Sequence, residues 1–415
     1  MNTKDTAVTS KEQLFQALTQ SPVYEKTVTA LADGFDHMVD ELIELTECPS
    51  PPFGEEKRGA AYKKKLEALG LKDVSMDAVG NVTAIRPGLS QDAPMIVVSA
   101  HMDTVFPAGT DVTVKRDGDI LRAPGIGDDT SGLVTILAYM KALDAAGVET
   151  ENPILVAATV GEEGQGDLRG MRHVFSADGA YRDRIGALIS MDGAAPNEKI
   201  VRGGTGSKRY RVIFSGPGGH SFGDAGIVNP MYAAAHTMTE LGRIPLQAEP
   251  KTTCNPTIVH GGTSINAIPE TVELMVDLRA NALAELDALG AAFERIIPEA
   301  CAVENKARST HLGEITAEIV PLGVRPVGET PLDSDLVAYA KLAVAAIDLE
   351  PELCFSSTDS NVPMSVGVPA VTLSWGAEGG GTHTLTEWRT IEKESSVRGM
   401  TIGLATLMAM AKTKV

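Results

Sequence analysis

The chain contains little cysteine. Only four cysteines occur among 415 residues, and no two of them form a CxxC pair. Scattered cysteines of this kind indicate neither a disulfide framework nor a thiolate metal site, and they are typical of small buried side chains. A metal site in this protein would therefore use imidazole and carboxylate ligands.

Long apolar runs and an excess of positive charge are also missing. No apolar run approaches the roughly 18 residues that a membrane span needs. The N-terminal sequence MNTKDTAVTS has no basic region followed by an apolar core. The 55 acidic and 36 basic residues give a formal net charge of −19, which repels polyanions. The sequence predicts a cytoplasmic protein with no nucleic acid and no membrane as partner.

The order of predicted elements indicates two domains, as the length of the chain also suggests. Up to about Met191, apolar strands, loops and helices alternate, as in a layered α/β domain with a mixed, mostly parallel sheet flanked by helices. Near Ser207 the order becomes β-α-β-β-α-β, which is the ferredoxin-like type. Residues 1–206 and 321–415 are predicted to form the layered domain, and residues 207–320 an inserted ferredoxin-like α+β domain.

The sequence predicts the bounds of five strands and four helices in the second half of the chain. The predicted strands are Tyr210–Phe214, Thr257–His260, Val272–Leu278, Glu314–Val320 and Val368–Ser374, and the predicted helices are Pro230–Leu241, Leu283–Ile296, Leu332–Ile347 and Ile391–Ala411.

Polar residues follow four apolar runs that read as buried strands. The runs with their polar ends are MIVVSAHMD, ILVAATVGEE, IGALISMDG and PAVTLSWGAEGGGTHT, and APGIGDDTSG lies between the first two. Functional groups of an open α/β sheet collect beyond the carboxyl ends of its strands. The pattern therefore predicts one site.

The residue types at this site favour divalent metal ions. The candidates are His101, Asp103, Asp128, Glu162, Glu163, Asp192 and His383. Imidazole and carboxylate without thiolate favour zinc, and two ions about 3.5 to 4 Å apart can share a bridging carboxylate. Each residue alone has an ordinary alternative: Asp128 and Asp129, for instance, precede Thr130 as a helix N-cap would. His220 lies in the glycine-rich turn SGPGGHSF, which could thrust an imidazole into a neighbouring cleft.

Eight segments in order resemble the motifs of the co-catalytic dizinc metallopeptidases. This family includes peptidase T, the glutamate carboxypeptidases, the aminoacylases and succinyl-diaminopimelate desuccinylase. The segments are SAHMDTVFP, GIGDDTSG, VGEEGQGDLRG, SMDG, GPGGHS, GGTSINAIPE, VDLRA and GGGTHT. The segments GEEGQGDLRG, STDSN and GGGTHTLTEW are most similar to the peptidase T-like members.

The resemblance implies a role for each matching residue. Asp128 would bridge two Zn²⁺ ions per subunit, although Co²⁺ or Mn²⁺ remain possible. His101 and Asp192 would hold one ion, and Glu163 and His383 the other. Glu162 would be the general base, Asp103 would orient His101, and the Asp128–Asp129 peptide would be cis.

The inserted domain would be a lid and dimerisation domain. There His220 would polarise the scissile carbonyl, from its own subunit or from the partner of a homodimer, while Asn266 and Arg279 would contact substrate.

The implied reaction is hydrolysis of an amide bond in a small substrate. A di- or tripeptide exopeptidase is the first expectation. An N-acyl amino acid deacylase or desuccinylase with the same dinuclear mechanism is the alternative that the residues leave open.

Overall fold

The computed structural model describes residues 10–194 and 196–415. This part of the chain divides into two compact units. The first unit ends at Gly204 and resumes at Glu329, and the second unit spans Thr205–Gly328.

The first unit begins with four helices and continues with alternating strands and helices. Its elements up to Gly204 are α1 (Lys11–Thr19), α2 (Pro22–Asp33), α3 (Phe35–Thr46), α4 (Glu56–Ala68), β1 (Lys72–Met76), β2 (Val82–Arg86), β3 (Met95–His101), β4 (Lys115–Asp117), β5 (Ile120–Arg122), α5 (Thr130–Ala145), β6 (Ile154–Thr159), α6 (Arg169–Val174), β7 (Ile185–Ser190) and β8 (Lys199–Gly204). Short 3₁₀ turns occur at Gly164–Gly166 and Arg182–Arg184.

The second unit has the predicted β-α-β-β-α-β order, with one additional two-stranded sheet formed by two short strands that are distant in sequence. Its elements are β9 (Gly206–Ser215), β10 (Gly219–His220), α7 (Pro230–Leu241), β11 (Thr252–Gly261), β12 (Ala267–Ile268), β13 (Thr271–Ala280), α8 (Leu283–Ala307) and β14 (Thr316–Arg325). The long strands form an antiparallel sheet in the order β11-β13-β9-β14. Their inner faces pack on the two helices, with the rings of Tyr210 and Phe293 stacked 4.5 Å apart. This is the ferredoxin-like arrangement.

Strands β9, β11 and β13 extend beyond both predicted ends, and β14 and α8 extend beyond their predicted carboxyl ends. Strand β14 passes residue 321 and reaches Arg325, because residues 323–325 continue the pairing with residues 207–209 of β9. Helix α8 passes Ile296 and an interior proline, Pro298, and reaches Ala307. An interior proline costs a helix about 3 kcal/mol. Burial of the later turns of the helix against the core of the unit, and an ion pair at its end, outweigh that cost.

The chain then completes the first unit. The remaining elements are β15 (Gly328–Glu329), α9 (Asp335–Ala345), β16 (Glu352–Ser356), α10 (Asn361–Ser365), β17 (Ala370–Thr372), β18 (Gly379–Gly380), β19 (Trp388–Thr390) and α11 (Lys393–Met410).

The large sheet of the first unit is mixed, and its centre is parallel. The order β1-β2-β6-β3-β7-β17-β8 contains the parallel neighbours β6, β3, β7 and β17, whereas β2 runs antiparallel to β6. Every residue of β3 and of β6 is buried. Alternate residues of β3 face two separate cores: Ile96 and Val98 pack with α2, α3, α5 and α11, and Val97 packs with α6 and α10. Burial on both faces explains why these strands read as unbroken apolar runs.

A small antiparallel sheet, in the order β18-β19-β5-β4, lies in the same unit. Its β19–β5 pairing joins residues 388–390 to residues 120–122. The loop that follows β5 contains Asp128, and the segment that precedes β19 contains His383. Two distant parts of the sequence are thereby fixed beside each other.

Across residues 10–194 and 196–415, none of the helices combines the length and the apolar character that a bilayer crossing requires.

Candidate metal centre

Three of the candidate segments leave neighbouring parallel strands at the same edge of the sheet. Strand β3 lies between β6 and β7. It ends at His101, β6 is followed by Glu162 and Glu163, and β7 is followed by Asp192. Because the carboxyl ends of parallel strands face one crevice, these four side chains converge there.

The carboxylate of Asp128 lies between the two histidines. Its Oδ1 is 2.8 Å from Nε2 of His101, and its Oδ2 is 3.1 Å from Nε2 of His383. Nε2 of His383 is also 2.7 Å from Oε1 of Glu163. The two oxygens of the Asp128 carboxylate thus face two different imidazole rings.

Within residues 10–194 and 196–415, two groups of ligand atoms are close enough to hold an ion. One group consists of His101, Asp128 and Glu163, and the other of His101, Asp129 and Asp192. The ligand atoms within each group lie within 4.8 Å of one another. Asp129 in the second group is not among the ligands that the sequence predicts.

Asp129 does serve as a helix N-cap. Its Oδ1 accepts the amide of Gly132 at the start of α5, and its Oδ2 accepts the amide of His101. The Asp128–Asp129 peptide is cis, as the resemblance implies. The two neighbouring acids therefore differ in their contacts: Asp128 faces the histidine rings, and Asp129 binds backbone amides.

Asp103 fixes the backbone that carries the paired glutamates. Its two carboxylate oxygens accept the amides of Glu162 and Glu163 at 3.0 and 2.8 Å. Nδ1 of His101 is 3.1 Å from the carbonyl oxygen of Asp103 and 3.6 Å from its carboxylate. The backbone carbonyl of Asp103 is thus the nearer acceptor for a proton on Nδ1. The Asp103 carboxylate interacts with the ring electrostatically over the longer distance.

Burial and charge determine the protonation of these groups. Burial raises the pKa of Asp192 to about 7 and holds the pKa of Asp129 well above its ordinary value. Burial alone would lower the pKa of His101, but Asp103 and Asp128 outweigh it and raise that pKa well above 6.5. Hydrogen bonds to Asp128 and Glu163 raise the pKa of His383 to about 10. Burial thus disfavours the charged forms of Asp192 and Asp129, whereas neighbouring carboxylates favour the charged forms of the two histidine rings.

The donor set fits divalent metal ions. Imidazole nitrogens and carboxylate oxygens suit zinc and similar ions, and buried carboxylates need a compensating cation. Arg58 is a fully buried cation nearby, but its guanidinium donates to the carbonyl oxygens of Cys48 and Met102. The carboxylates thus remain suited to a metal.

A small cavity adjoins these ligands. It has a volume of about 90 Å³, and its lining includes Asp128, Asp192 and the two tryptophans of the chain, Trp375 and Trp388. A cavity of this size accepts only a small chemical group.

In the second unit, two of the predicted substrate contacts lie together and the third lies apart. The β10–β12 pairing sets His220 opposite Ala267, beside Asn266. Arg279 lies near the far end of β13 and donates to Asp277 at 2.7 Å. The β10–β12 sheet adjoins the other end of this strand, where the amide of Gly216 donates to the carbonyl of Glu270. The eight steps of extended chain from residue 271 to residue 279 correspond to about 27 Å at roughly 3.4 Å per residue.

Sequence reasoning missed Glu387, a buried carboxylate that directly precedes β19 and contacts the loop that carries Asp128. It is 1% exposed and accepts the amides of Gly125, Gly127 and Asp128 at 2.8, 2.9 and 2.8 Å. Burial raises its pKa to about 7. Its only signal in the sequence is its place four residues after His383, where an acidic residue is also common in an exposed loop.

Comparison with known proteins identifies a matching family and relatives that align with most of this chain. The profile of Peptidase family M20/M25/M40 matches residues 97–409. The uncharacterized protein YqjE of Bacillus subtilis is 27% identical over 88% of this chain and 97% of its own length. Carboxypeptidase G2 of a Pseudomonas species is 25% identical over 89% of this chain and 86% of its own.

A solved structure shares the fold. Aminopeptidase PepT of Bacillus cereus superposes with a TM-score of 0.73 at 23% identity, over 91% of this chain and 99% of its own. The family profile covers most of the present sequence, including all five proposed metal ligands. The chain belongs to peptidase family M20/M25/M40, and it is a metal-dependent hydrolase.

Proposed function

We propose that this protein is an exopeptidase that hydrolyses di- or tripeptides with two Zn²⁺ ions per subunit, which Co²⁺ or Mn²⁺ could replace. The observation that carries the proposal is the position of Asp128, whose two carboxylate oxygens face His101 and His383. A carboxylate placed in this way can serve two ions at once. The names of the aminopeptidase and carboxypeptidase relatives support removal of terminal residues, without deciding which end.

Five residues would hold the ions. Asp128 would be shared, His101 and Asp192 would complete one set, and Glu163 and His383 the other. When bound, the ions would make water acidic enough to lose a proton near neutral pH and would offset the charge of the oxyanion.

Glu162 would move the proton. It follows β6 beside the ligand Glu163, is 4% exposed, and has its backbone amide fixed by Asp103. A carboxylate held in this way would accept a proton from the attacking water and deliver it to the leaving amine. Asp103 would act through its neighbours, because it positions both glutamates and His101.

The second unit would supply the substrate contacts. His220 would polarise the scissile carbonyl, and Asn266 and Arg279 would bind the substrate. Since Arg279 and His220 lie near opposite ends of the rigid strand β13, they would serve different active sites in a dimer. The ion pair with Asp277 would hold the guanidinium of Arg279 in place. A substrate carboxylate would bind this guanidinium through two parallel hydrogen bonds.

A homodimer through the second unit would use the edge strand β11. This strand pairs with β13 on one side only among the described residues. Ile258 and Val259 on it are 44% and 47% exposed. Exposed apolar edge strands are templates for pairing with another chain. A cytoplasmic location stays a prediction from the sequence.

A substrate panel tests the proposed function directly. The zinc-loaded protein should hydrolyse unblocked dipeptides and tripeptides. N-acetyl and N-succinyl amino acids should be hydrolysed at least tenfold more slowly, measured as kcat/KM. The reverse order would replace the peptidase with the deacylase alternative, and peptides blocked at either end would identify the terminus that is recognised.

Glu162→Gln should abolish turnover without removing metal. The amide cannot take a proton, so we expect kcat to fall at least 10²-fold, the lower range for a general base. Glu163→Gln is the matched variant, since it should lose metal as well as activity. Metal content and kcat measured on both proteins distinguish the two roles, and near wild-type kcat in Glu162→Gln contradicts the base assignment.

Chelation should remove activity, and added Zn²⁺ or Co²⁺ should restore it. Asp128→Asn should bind less metal and recover little activity, because the shared ligand is weakened. Asp183→Asn provides the control, since Asp183 is 97% exposed. Metal analysis and hydrolysis rates test this, and full activity of the chelated protein excludes the metal mechanism.

Ile258→Lys with Val259→Lys should convert the dimer into a monomer, because two charges on the edge strand oppose pairing. Val366→Lys, at a site that is 59% exposed in the first unit, should leave the dimer intact. Light scattering coupled to size-exclusion chromatography gives the mass of each. A wild-type monomer, or a double variant that stays dimeric, contradicts this interface.

A further inference from the structure

We propose that Glu387 is a positioning residue that holds the Asp128 loop in its metal-binding conformation and thereby sets the affinity of the chain for divalent ions. The inference rests on the proposed ligand role of Asp128. Glu387 itself faces backbone amides and is not one of the five proposed ligands.

The carboxylate of Glu387 accepts hydrogen bonds from three backbone amides of the Asp128 loop. Its Oε1 accepts from Gly127 and Asp128, and its Oε2 accepts from Gly125. The backbone of Glu387 also contributes, because its carbonyl accepts the amide of Ala123 at 3.1 Å. Buried amides need acceptors, and residues 123–129 belong to no helix or strand that could supply them.

The carbonyls of the same loop are bound from the other side. The hydroxyl of Thr130 donates to the carbonyl of Gly125, and that of Ser131 donates to the carbonyl of Ile126, both at 2.7 Å. Arg389 in turn donates to the Ser131 hydroxyl at 2.8 Å. The first turn of α5 therefore holds one side of the loop, and Glu387 holds the other.

Glycine makes the close approach of the carboxylate possible. A Cβ at Gly127 would lie 2.7 Å from Oε1 of Glu387. Gly125 has φ of +74°, which side chains other than glycine rarely adopt. Gly127 thus leaves room for the Glu387 carboxylate, and Gly125 allows the backbone conformation of the loop.

A carboxylate suits this position better than an amide does. Glutamine has one side-chain oxygen, so its NH₂ group would face at least one of the three amide donors. In addition, Glu387 and His383 share one short segment, so a shift of this segment would move two proposed ligands together.

The test compares Zn²⁺ affinity among variants by competition with a chromophoric chelator. Glu387→Gln should bind Zn²⁺ about 10 to 100-fold more weakly, the usual effect of losing a group that orients a ligand. Glu392→Gln is the control, because Glu392 is an exposed carboxylate that also accepts two backbone amides, those of Glu394 and Ser395. It should bind Zn²⁺ as the wild type does.

Kinetics at saturating Zn²⁺ provide a second readout. Glu387→Gln should regain much of its kcat with little change in KM, whereas Glu162→Gln should not respond to added metal. Circular dichroism spectra and the Tm of the chelator-treated proteins show whether each variant folds. If Glu387→Gln does not fold, the same measurements are made on Glu387→Asp.

Wild-type Zn²⁺ affinity in folded Glu387→Gln overturns the proposal. It is also overturned if neither Glu387 variant folds without metal, because the carboxylate then serves the fold itself. The zinc measurement needs no substrate. A protein that hydrolyses nothing in the panel but shows the expected loss of affinity refutes the proposed exopeptidase and not the role of Glu387.

Discussion

The repulsion among buried carboxylates is the constraint on which this structure depends. Ligand atoms of acidic residues lie within 4.8 Å of one another at the edge of the large sheet. Two like charges 4 Å apart repel by about 4 kcal/mol at an effective dielectric constant of 20. The chain offsets this repulsion in part with the rings of His101 and His383, and a divalent cation offsets it more fully. The fold holds together a cluster that favours the metal on which hydrolysis depends.

Rigid surroundings keep that cluster in place. Strand β3 is buried on both faces, so His101 sits at the end of a strand that cannot shift without disrupting two cores. The loops are fixed by acidic side chains that accept backbone amides: Asp103 holds the two glutamates, Asp129 caps α5, and Glu387 binds the Asp128 loop. Acidic residues therefore have two kinds of contact at this site, because some face the histidine rings and others organise the loops.

Much of the fold could be predicted from the sequence, because local patterns encode it. Unbroken apolar runs indicated the buried parallel strands, and the change of pattern near Ser207 indicated the second unit. The errors occurred where long-range contacts extend an element. Helix α8 continues through Pro298 because its later turns are buried, and β14 passes residue 321 because β9 offers further partners.

The sequence by itself determined which residues are candidates for the chemistry and that they follow strands, since ligand type and apolar runs are local properties. It also determined the family, through eight motifs in order. Only the tertiary structure decided what each acid contacts. Asp128 and Asp129 are identical neighbours in sequence, yet one faces two imidazoles and the other caps a helix. Glu387 resembles any loop acid until the β19–β5 pairing brings it to amides some 260 positions away. Such contacts depend on strand order and loop path, which no local pattern specifies.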